Sequence, residues 1–273
     1  MRLSLTSFHY RCSQQVDQPL MTIEQSSFRC RFAYARAGET AQYKDNNQDY
    51  LAFRIDGGSL SFVLCDGVSL SYQGDFAARF LGAHLLDWIA VQSELNAKSL
   101  HAYLDSLRDA AAEQMSGLPI PSGLPPLVKE VLEDKKRIGS EAMFTCGRID
   151  GTDGTDEAEP YSRIWLAWHG DGRRRLWQHG QESCNLFETS SSSGERWSVY
   201  RGLIGGRAHT LHHHIEGNAP FRLMVYTDGL SELDSLPYPP ADELLRHKLE
   251  HRNGEMLEDD VSLLDISWSS CGK

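Results

Sequence analysis

Leu60-Ser-Phe-Val-Leu-Cys-Asp-Gly-Val-Ser-Leu-Ser-Tyr-Gln-Gly-Asp-Phe-Ala-Ala78 opens with an apolar run of strand length. It breaks abruptly at Asp66-Gly67 and passes through a polar turn into an amphipathic helix. A carboxylate at the end of a buried strand is costly unless it meets a hydrogen-bond donor or a cation. The chain repeats the arrangement at Phe221-Arg-Leu-Met-Val-Tyr-Thr-Asp228-Gly229. Two such strand ends suggest one shared site, although Asp-Gly is also a common turn dipeptide.

Upstream, Phe28, Cys30, Phe32 and Tyr34 alternate with polar residues, the period of a half-buried strand over 28–35. A polar turn ends in Lys44-Asp-Asn-Asn-Gln-Asp49, and 50–54 reads as the next strand. Ile55-Asp-Gly-Gly-Ser59 is a hairpin signal, which places Asp49 and Asp66 on adjacent antiparallel strands. Downstream, Phe76, Phe80, Leu81, Leu85, Trp88 and Ile89 predict a helix over 75–92. A second helix fits 98–115, and after the Pro- and Gly-rich break at 117–126 a short third fits 127–137. The remainder predicts strands at 142–149, 163–168, 175–178, around Leu186, and at 209–213, 221–227 and 261–268, with a helix at 241–251. Many strands and few crossover helices indicate an α+β fold, an antiparallel two-sheet core with helices packed outside. Residues 1–27, rich in Gln and Ser, read as a loose N-terminal segment, 28–268 as one domain and 269–273 as a tail.

A chain of 273 residues, 40% hydrophobic and 24% charged, can bury a sizeable core. The net charge of -11 argues against a nucleic-acid or acidic-lipid binder, because such partners need a basic surface. The cysteines Cys12, Cys30, Cys65, Cys146, Cys184 and Cys271 stand singly, as reduced core residues of a cytoplasmic protein do. No apolar run approaches the roughly 18 residues needed to span a bilayer, so no membrane association is expected.

Asp49, Asp66, Asp171, Asp228 and the pair Asp259-Asp260 all fall where strands begin or end. Converging carboxylates would repel by about 4 kcal/mol per pair at 4 Å and an effective dielectric near 20, and would need cations. All-oxygen ligands favour hard ions, Mg²⁺ or Mn²⁺, and two such ions acidify a water for attack on phosphorus. Taken singly, Asp171-Gly172 also reads as a hairpin turn and Asp259-Asp260 as a charged strand edge. His212-His213-His214 with His209 could offer at most two side chains to one metal, since consecutive strand residues face opposite sides. Arg173-Arg174-Arg175 could meet a phosphorylated protein but reads first as a solvated hairpin, and Trp88, Trp165, Trp168 and Trp197 read as core. Neither a GxSxG elbow nor a Walker-type glycine loop is present.

In order, Asn46-Asn47-Gln48-Asp49, Val63-Leu-Cys-Asp66-Gly67-Val with Gly74 and Ala77-Ala78, Gly139-Ser-Glu-Ala, His169-Gly170-Asp171-Gly-Arg173, Thr227-Asp228-Gly229-Leu230 and Asp259-Asp260-Val-Ser262 resemble the successive motifs of the protein phosphatase 2C family. Each motif is weak alone; six in order are more specific. The resemblance implies a four-layer α-β-β-α sandwich with a metal centre at one end. It implies a serine/threonine phosphoprotein phosphatase of bacterial type, whose water nucleophile is held between two Mn²⁺ or Mg²⁺ ions. On this resemblance Asp66 bridges the metals, the Gly67 carbonyl binds the second, Asp228 and Asp259 complete the first, and Asp171 and Glu232 hold a weaker third. Lys44 stands where the family has a phosphate-gripping arginine, and Gln48 where it often has a metal-binding glutamate. Asp49, Asp260 and Asn47 support the site from behind. Ser69-Leu70 replaces the usual Gly-Gly, and Arg196-Trp197-Ser-Val-Tyr-Arg201 stands in place of the usual Asp-His-Ser segment. The expected partner is a phosphorylated protein met by a monomer. A phosphatase-like domain that binds such a partner without turnover is the alternative.

Overall fold

The structure, a computed structural model, describes residues 7–43, 45–151, 161–187, 192–216, 220–249 and 256–269. The chain begins with β1 (Ser7–Arg11), β2 (Gln18–Gln25), β3 (Phe28–Ala35), α1 (Gly38–Tyr43), β4 (Tyr50–Asp56) and β5 (Ser59–Gly67). A helical insertion follows: α2 (Gly74–Val91), α3 (Ala97–Ser106), α4 (Arg108–Ser116) and α5 (Pro126–Ile138). Then come β6 (Glu141–Gly151), β7 (Tyr161–His169), β8 (Arg173–Gln178), β9 (Gln181–Glu182), β10 (Arg196–Ser198), β11 (Gly202–Ile204), β12 (His209–Glu216) and β13 (Pro220–Tyr226). A 3₁₀ stretch (Asp228–Ser235), α6 (Asp242–Leu249) and β14 (Val261–Ser269) complete it.

One sheet runs β1-β4-β5-β6, after which β6 pairs β7 through Phe144 to Gly151 and β10 through Glu141 and Ala142. β12 extends the β7 branch and β11 the β10 branch. The other sheet runs β2-β3-β14-β13-β8-β9, and among the described residues the pairings in both sheets are antiparallel. Alternation sorts the side chains of β4 and β5 between two cores. Leu51, Phe53, Leu60, Phe62 and Leu64 face the opposite sheet, meeting Phe28, Phe32, Leu264 and Ile266. Ala52, Val63 and Cys65 point the other way, onto Leu81, Leu85 and Ile89 of α2. Beyond the second sheet, Ala33, Met224 and Leu263 pack with Leu230, Leu233, Leu245 and Leu249. The order of layers is therefore helix, sheet, sheet, helix. No helix among the described residues is long and apolar enough to cross a membrane.

Several details differ from the sequence expectation. The N-terminal segment, expected to be loose, supplies an edge strand to each sheet, β1 on β4 and β2 on β3. Edge strands are held by backbone pairing and leave alternate side chains in water, so their composition reads as polar. The helix expected over 98–115 is two, broken at Leu107, and the strand expected around Leu186 is a single 3₁₀ turn, Cys184–Phe187. Asp171-Gly172 is not a hairpin. It is a corner that carries the chain from β7 in one sheet to β8 in the other, with Gly170 at φ +118° pressed on Met143. Of the arginines after it, Arg173 stays partly exposed, but Arg174 lies over the Trp168 ring and Arg175 over Trp177 while donating to Glu182 and to the Leu233 carbonyl. Cys30, Cys65 and Cys146 are core residues, Cys184 is exposed, and Cys271 lies outside the described residues.

Candidate active site

The inward-facing rows of the two sheets run out into oxygen ligands at one end. In β4 and β5 the positions after Leu51 and Leu64 in the inward parity are Asp49 and Asp66, brought side by side by the Tyr50 to Cys65 pairing. From the other sheet, Leu264 leads back through Ser262 to Asp260, and β13 runs into Thr227 and Asp228. The corner from β7 to β8 adds Asp171. One carboxylate oxygen from each of Asp66, Asp171 and Asp228 lies within 4.8 Å of the others, the one trio of potential metal ligands among the described residues. A cleft of about 450 Å³ lies over these strand ends, lined by Gln48, Asp49, Asp66, Gly67, Asp228, Asp259 and Asp260 among others.

The residues behind the cleft are committed to holding it. Asp49, 2% exposed, accepts from Thr227 Oγ1 at 3.0 Å, and Thr227 Oγ1 accepts from the Ser262 amide at 3.0 Å. Asp260 accepts from the amides of Ala37 (2.7 Å) and Gln48 (2.6 Å), so both its oxygens are spent on backbone. Asn47 donates to the Ala35 carbonyl and accepts from the Asp49 amide. Gly67 needs to be glycine for a steric reason: a Cβ there would stand 2.5 Å from the Gly74 carbonyl and 2.6 Å from that of Gln48. Gln14, with no signal in sequence, donates Nε2 to the carbonyls of Asn47, Asp49 and Asp75. It thereby ties the N-terminal segment to the acid-bearing turn and to the start of α2.

Two acceptors at the site are buried without a donor: Gln48 Oε1 and Asp171 Oδ1. An orphaned buried oxygen normally costs 1–3 kcal/mol or so, and a cation would satisfy both. Three carboxylates within 4.8 Å would repel by about 3 kcal/mol per pair at an effective dielectric near 20. All-oxygen donors, orphaned acceptors and uncompensated negative charge together fit a hard divalent cation.

Burial, followed by the charge of Asp49, holds the Asp66 carboxyl well above the usual carboxylate range. Burial and then Asp260 do the same for Asp49, and burial raises Asp171 and Asp259. A carboxyl whose folded pKa is raised binds its proton more tightly folded than unfolded, so without cations these groups subtract stability as pH rises above about 4 and through their raised values. A cation must displace those protons, so its binding strengthens over the same range. The rise in melting temperature produced by Mn²⁺ over chelator is therefore expected to grow between about pH 5 and 8. Melting curves in the two conditions across that range check this, and a shift that shrinks with pH would contradict it.

The structure places the expected residues unevenly. Asp66 and Asp228 meet, with Asp171 rather than Asp259 closing the tight trio. Asp259 lines the same cleft, and its Oδ1 accepts from the Asp260 amide at 2.8 Å. Glu232, expected beside Asp171, pairs instead with Lys248 at the surface. The 3₁₀ stretch Asp228–Ser235 is kinked at Leu230 (φ -111°, ψ 25°), so Glu232 does not follow Asp228 along one helical face. Lys44 lies outside the described residues. His212, His213 and His214 follow one another along β12, so His213 faces away from the other two, and His209 meets Glu195 at 3.0 Å.

No family model matches the chain, and no curated protein matches it. Solved structures do. The serine/threonine phosphatase Stp1 from Staphylococcus aureus aligns over 93% of this chain and 97% of its own, at 13% identity and a TM-score of 0.51. RsbX in complex with magnesium aligns over 92% of this chain and 100% of its own, at 14% identity and a TM-score of 0.52. An arginine-to-alanine variant of a bacterial serine phosphatase aligns over 90% and 100%, at 14% identity and a TM-score of 0.50. Near-complete coverage on both sides, with two antiparallel sheets between helical layers, gives the chain a protein phosphatase 2C-like sandwich fold.

Proposed function

We propose that the chain is a divalent-cation-dependent phosphoprotein phosphatase that hydrolyses phosphoserine and phosphothreonine. The observation that supports this most is the trio Asp66, Asp171 and Asp228 at the end of a phosphatase-type sandwich, beside two orphaned oxygens. Two Mn²⁺ or Mg²⁺ ions held there, with room for a weaker third, would neutralise the carboxylates and acidify and position the attacking water. The chain's own residues divide the remaining work. Asp66, Asp228 and Asp171 hold cations, Asp259 and the Gly67 carbonyl complete the set, and Gln48 offers its orphaned oxygen. Asp49, Asn47 and Asp260 fix the strand ends so that these oxygens need no rearrangement when phosphate arrives. No side chain has to be phosphorylated on the way, because water is the nucleophile. Lys44 supplies positive charge for the substrate phosphate. The chain acts on phosphorylated proteins as a cytoplasmic monomer, a setting that suits its free cysteines.

The test is release of phosphate from phosphoserine and phosphothreonine peptides with Mn²⁺ or Mg²⁺, against chelator. Turnover that persists in chelator would refute the proposal. A second reading, a domain that binds a phosphorylated partner without turnover, draws support from the neutral Gln48 and from Glu232 being engaged by Lys248. Tight Mn²⁺ binding by calorimetry with no turnover on any phosphopeptide would favour it.

A further inference from the structure

The cleft over the acids has a second, differently charged wall. β6 lies between β5 and β10, with Asp66 opposite Met143 and Ser198 opposite Glu141. By strand alternation Asp66, Met143, Glu141, Ser198 and Arg196 all project from one face of the sheet. Adjacent strands are about 4.8 Å apart, so Arg196 stands roughly 10 Å from Asp66, within the span of a phosphoryl group and a long side chain. Arg201 follows in the turn between β10 and β11. Glu141, its side chain 5% exposed, takes both guanidiniums: Arg196 through Nε on one carboxylate oxygen and Arg201 through Nη2 at 2.7 Å on the other.

One carboxylate cannot neutralise two guanidiniums, so the trio carries a net positive charge. Arg201 keeps its remaining donors free of partners among the described residues and its side chain is 54% exposed; Arg196 spends one more, weakly, on the Gly194 carbonyl at 3.4 Å. Of the described residues lining the cleft, Arg196 and Arg201 are the cations; five others are aspartates. A phosphate dianion entering a chain of net charge -11 would find in these two guanidiniums a source of attraction on the wall of the cleft away from the aspartates. A buried carboxylate that fixes two planar forks also removes the entropy cost of orienting them, as bidentate oxyanion binding requires.

We propose that Arg196 and Arg201, set in place by Glu141, bind the phosphoryl oxygens of the substrate that face away from the acids. Arg196 and Arg201 are binding residues and Glu141 a positioning residue. The proposal rests on the phosphatase reading, and the alternative is that the trio only ties β10 and β11 to β6.

The experiment uses the full chain loaded with Mn²⁺ and compares wild type with Arg201→Ala, Arg201→Lys and Glu141→Gln. It measures a phosphoserine peptide's KM and kcat, and the Kd of inorganic phosphate by calorimetry. Loss of one charge-assisted hydrogen bond predicts that Arg201→Ala raises both KM and Kd by about tenfold or more, with a much smaller change in kcat and an unaltered melting temperature. Arg201→Lys recovers part of that loss, and Glu141→Gln weakens phosphate binding by loosening both forks. Unchanged KM and Kd in Arg201→Ala, or a wild-type protein that binds no phosphate, would overturn the proposal. If wild type binds phosphate yet hydrolyses no peptide, the phosphatase reading fails while the comparison of Kd values still decides the role of the arginines.

Discussion

Asp66→Asn is expected to lower kcat on a phosphoserine peptide by roughly a thousandfold, about 4 kcal/mol of transition-state stabilisation, while making the cation-free protein more stable. The two directions have one cause. Asp66 is buried at the strand end, with carboxylate oxygens of Asp171 and Asp228 within 4.8 Å and Asp49 beside it. Without a cation its charge is a liability to folding; with one, it is a ligand that the neutral amide replaces poorly. Asparagine keeps the shape and removes the charge, so it relieves the repulsion and leaves packing intact. Melting curves in chelator and steady-state kinetics in Mn²⁺ measure the two effects separately. A variant that loses both activity and stability would mean that Asp66 is a packing residue, and one that keeps its activity would remove Asp66 from the chemistry.

The largest expected effect on stability lies in β14, away from the acid trio. Asp265 in β14 is fully buried and accepts from Arg31 Nε at 2.8 Å and from Arg222 Nε at 2.8 Å and Nη2 at 2.6 Å. Arg31, itself 4% exposed, also reaches Asp242 at the start of α6 and the Pro240 carbonyl. Asp265→Ala takes away the carboxylate that Arg222 pairs with and leaves the buried Arg31 only Asp242 and the Pro240 carbonyl, and is expected to cost about 3–5 kcal/mol. That corresponds to a fall in melting temperature of roughly 10 °C for a chain of this size. Replacing Arg31 and Arg222 by Met together with Asp265→Leu is expected to recover most of the loss, because the cost is the unpaired charge and not the missing contact. Urea unfolding of the single and triple variants checks both values; an Asp265→Ala protein within about 1 kcal/mol of wild type would show that the arginines find water or other partners.

Much of this molecule is written in its local pattern. Alternation at Phe28 to Tyr34 and the apolar stripe from Phe76 to Ile89 specify a strand and a helix, because burying those faces decides the conformation. Asp66-Gly67 and Asp228-Gly229 could be paired on sight since each ends a run that has to be buried. What escaped depended on which sheet a strand joins. Nothing within Trp168 to Arg173 says that β7 and β8 belong to different sheets, yet that is what turns Asp171 from a hairpin residue into a member of the trio. Glu232 reads as a neighbour of Asp228 only if one regular helix runs through both, and the kink at Leu230 breaks that continuity, leaving Glu232 beside Lys248. Gln14 and the two edge strands were invisible for a related reason: their work is done by amides and backbone, which polar residues in a loose segment do not announce.

Asp66 comes from one sheet, Asp228 from the other, and Asp171 from the corner between them. The spacing of the trio is therefore a readout of how far apart the sheets stand, a distance set by the side chains that fill the middle layer. Phe62, Leu64 and Leu264, which touch no ligand and no substrate, act as shims. Trading one for a residue larger or smaller by a methylene would shift the oxygens relative to one another and so alter the fit to a cation held between them. Preference for one cation over another can thus drift by changes in the greasy interior, leaving every carboxylate in place.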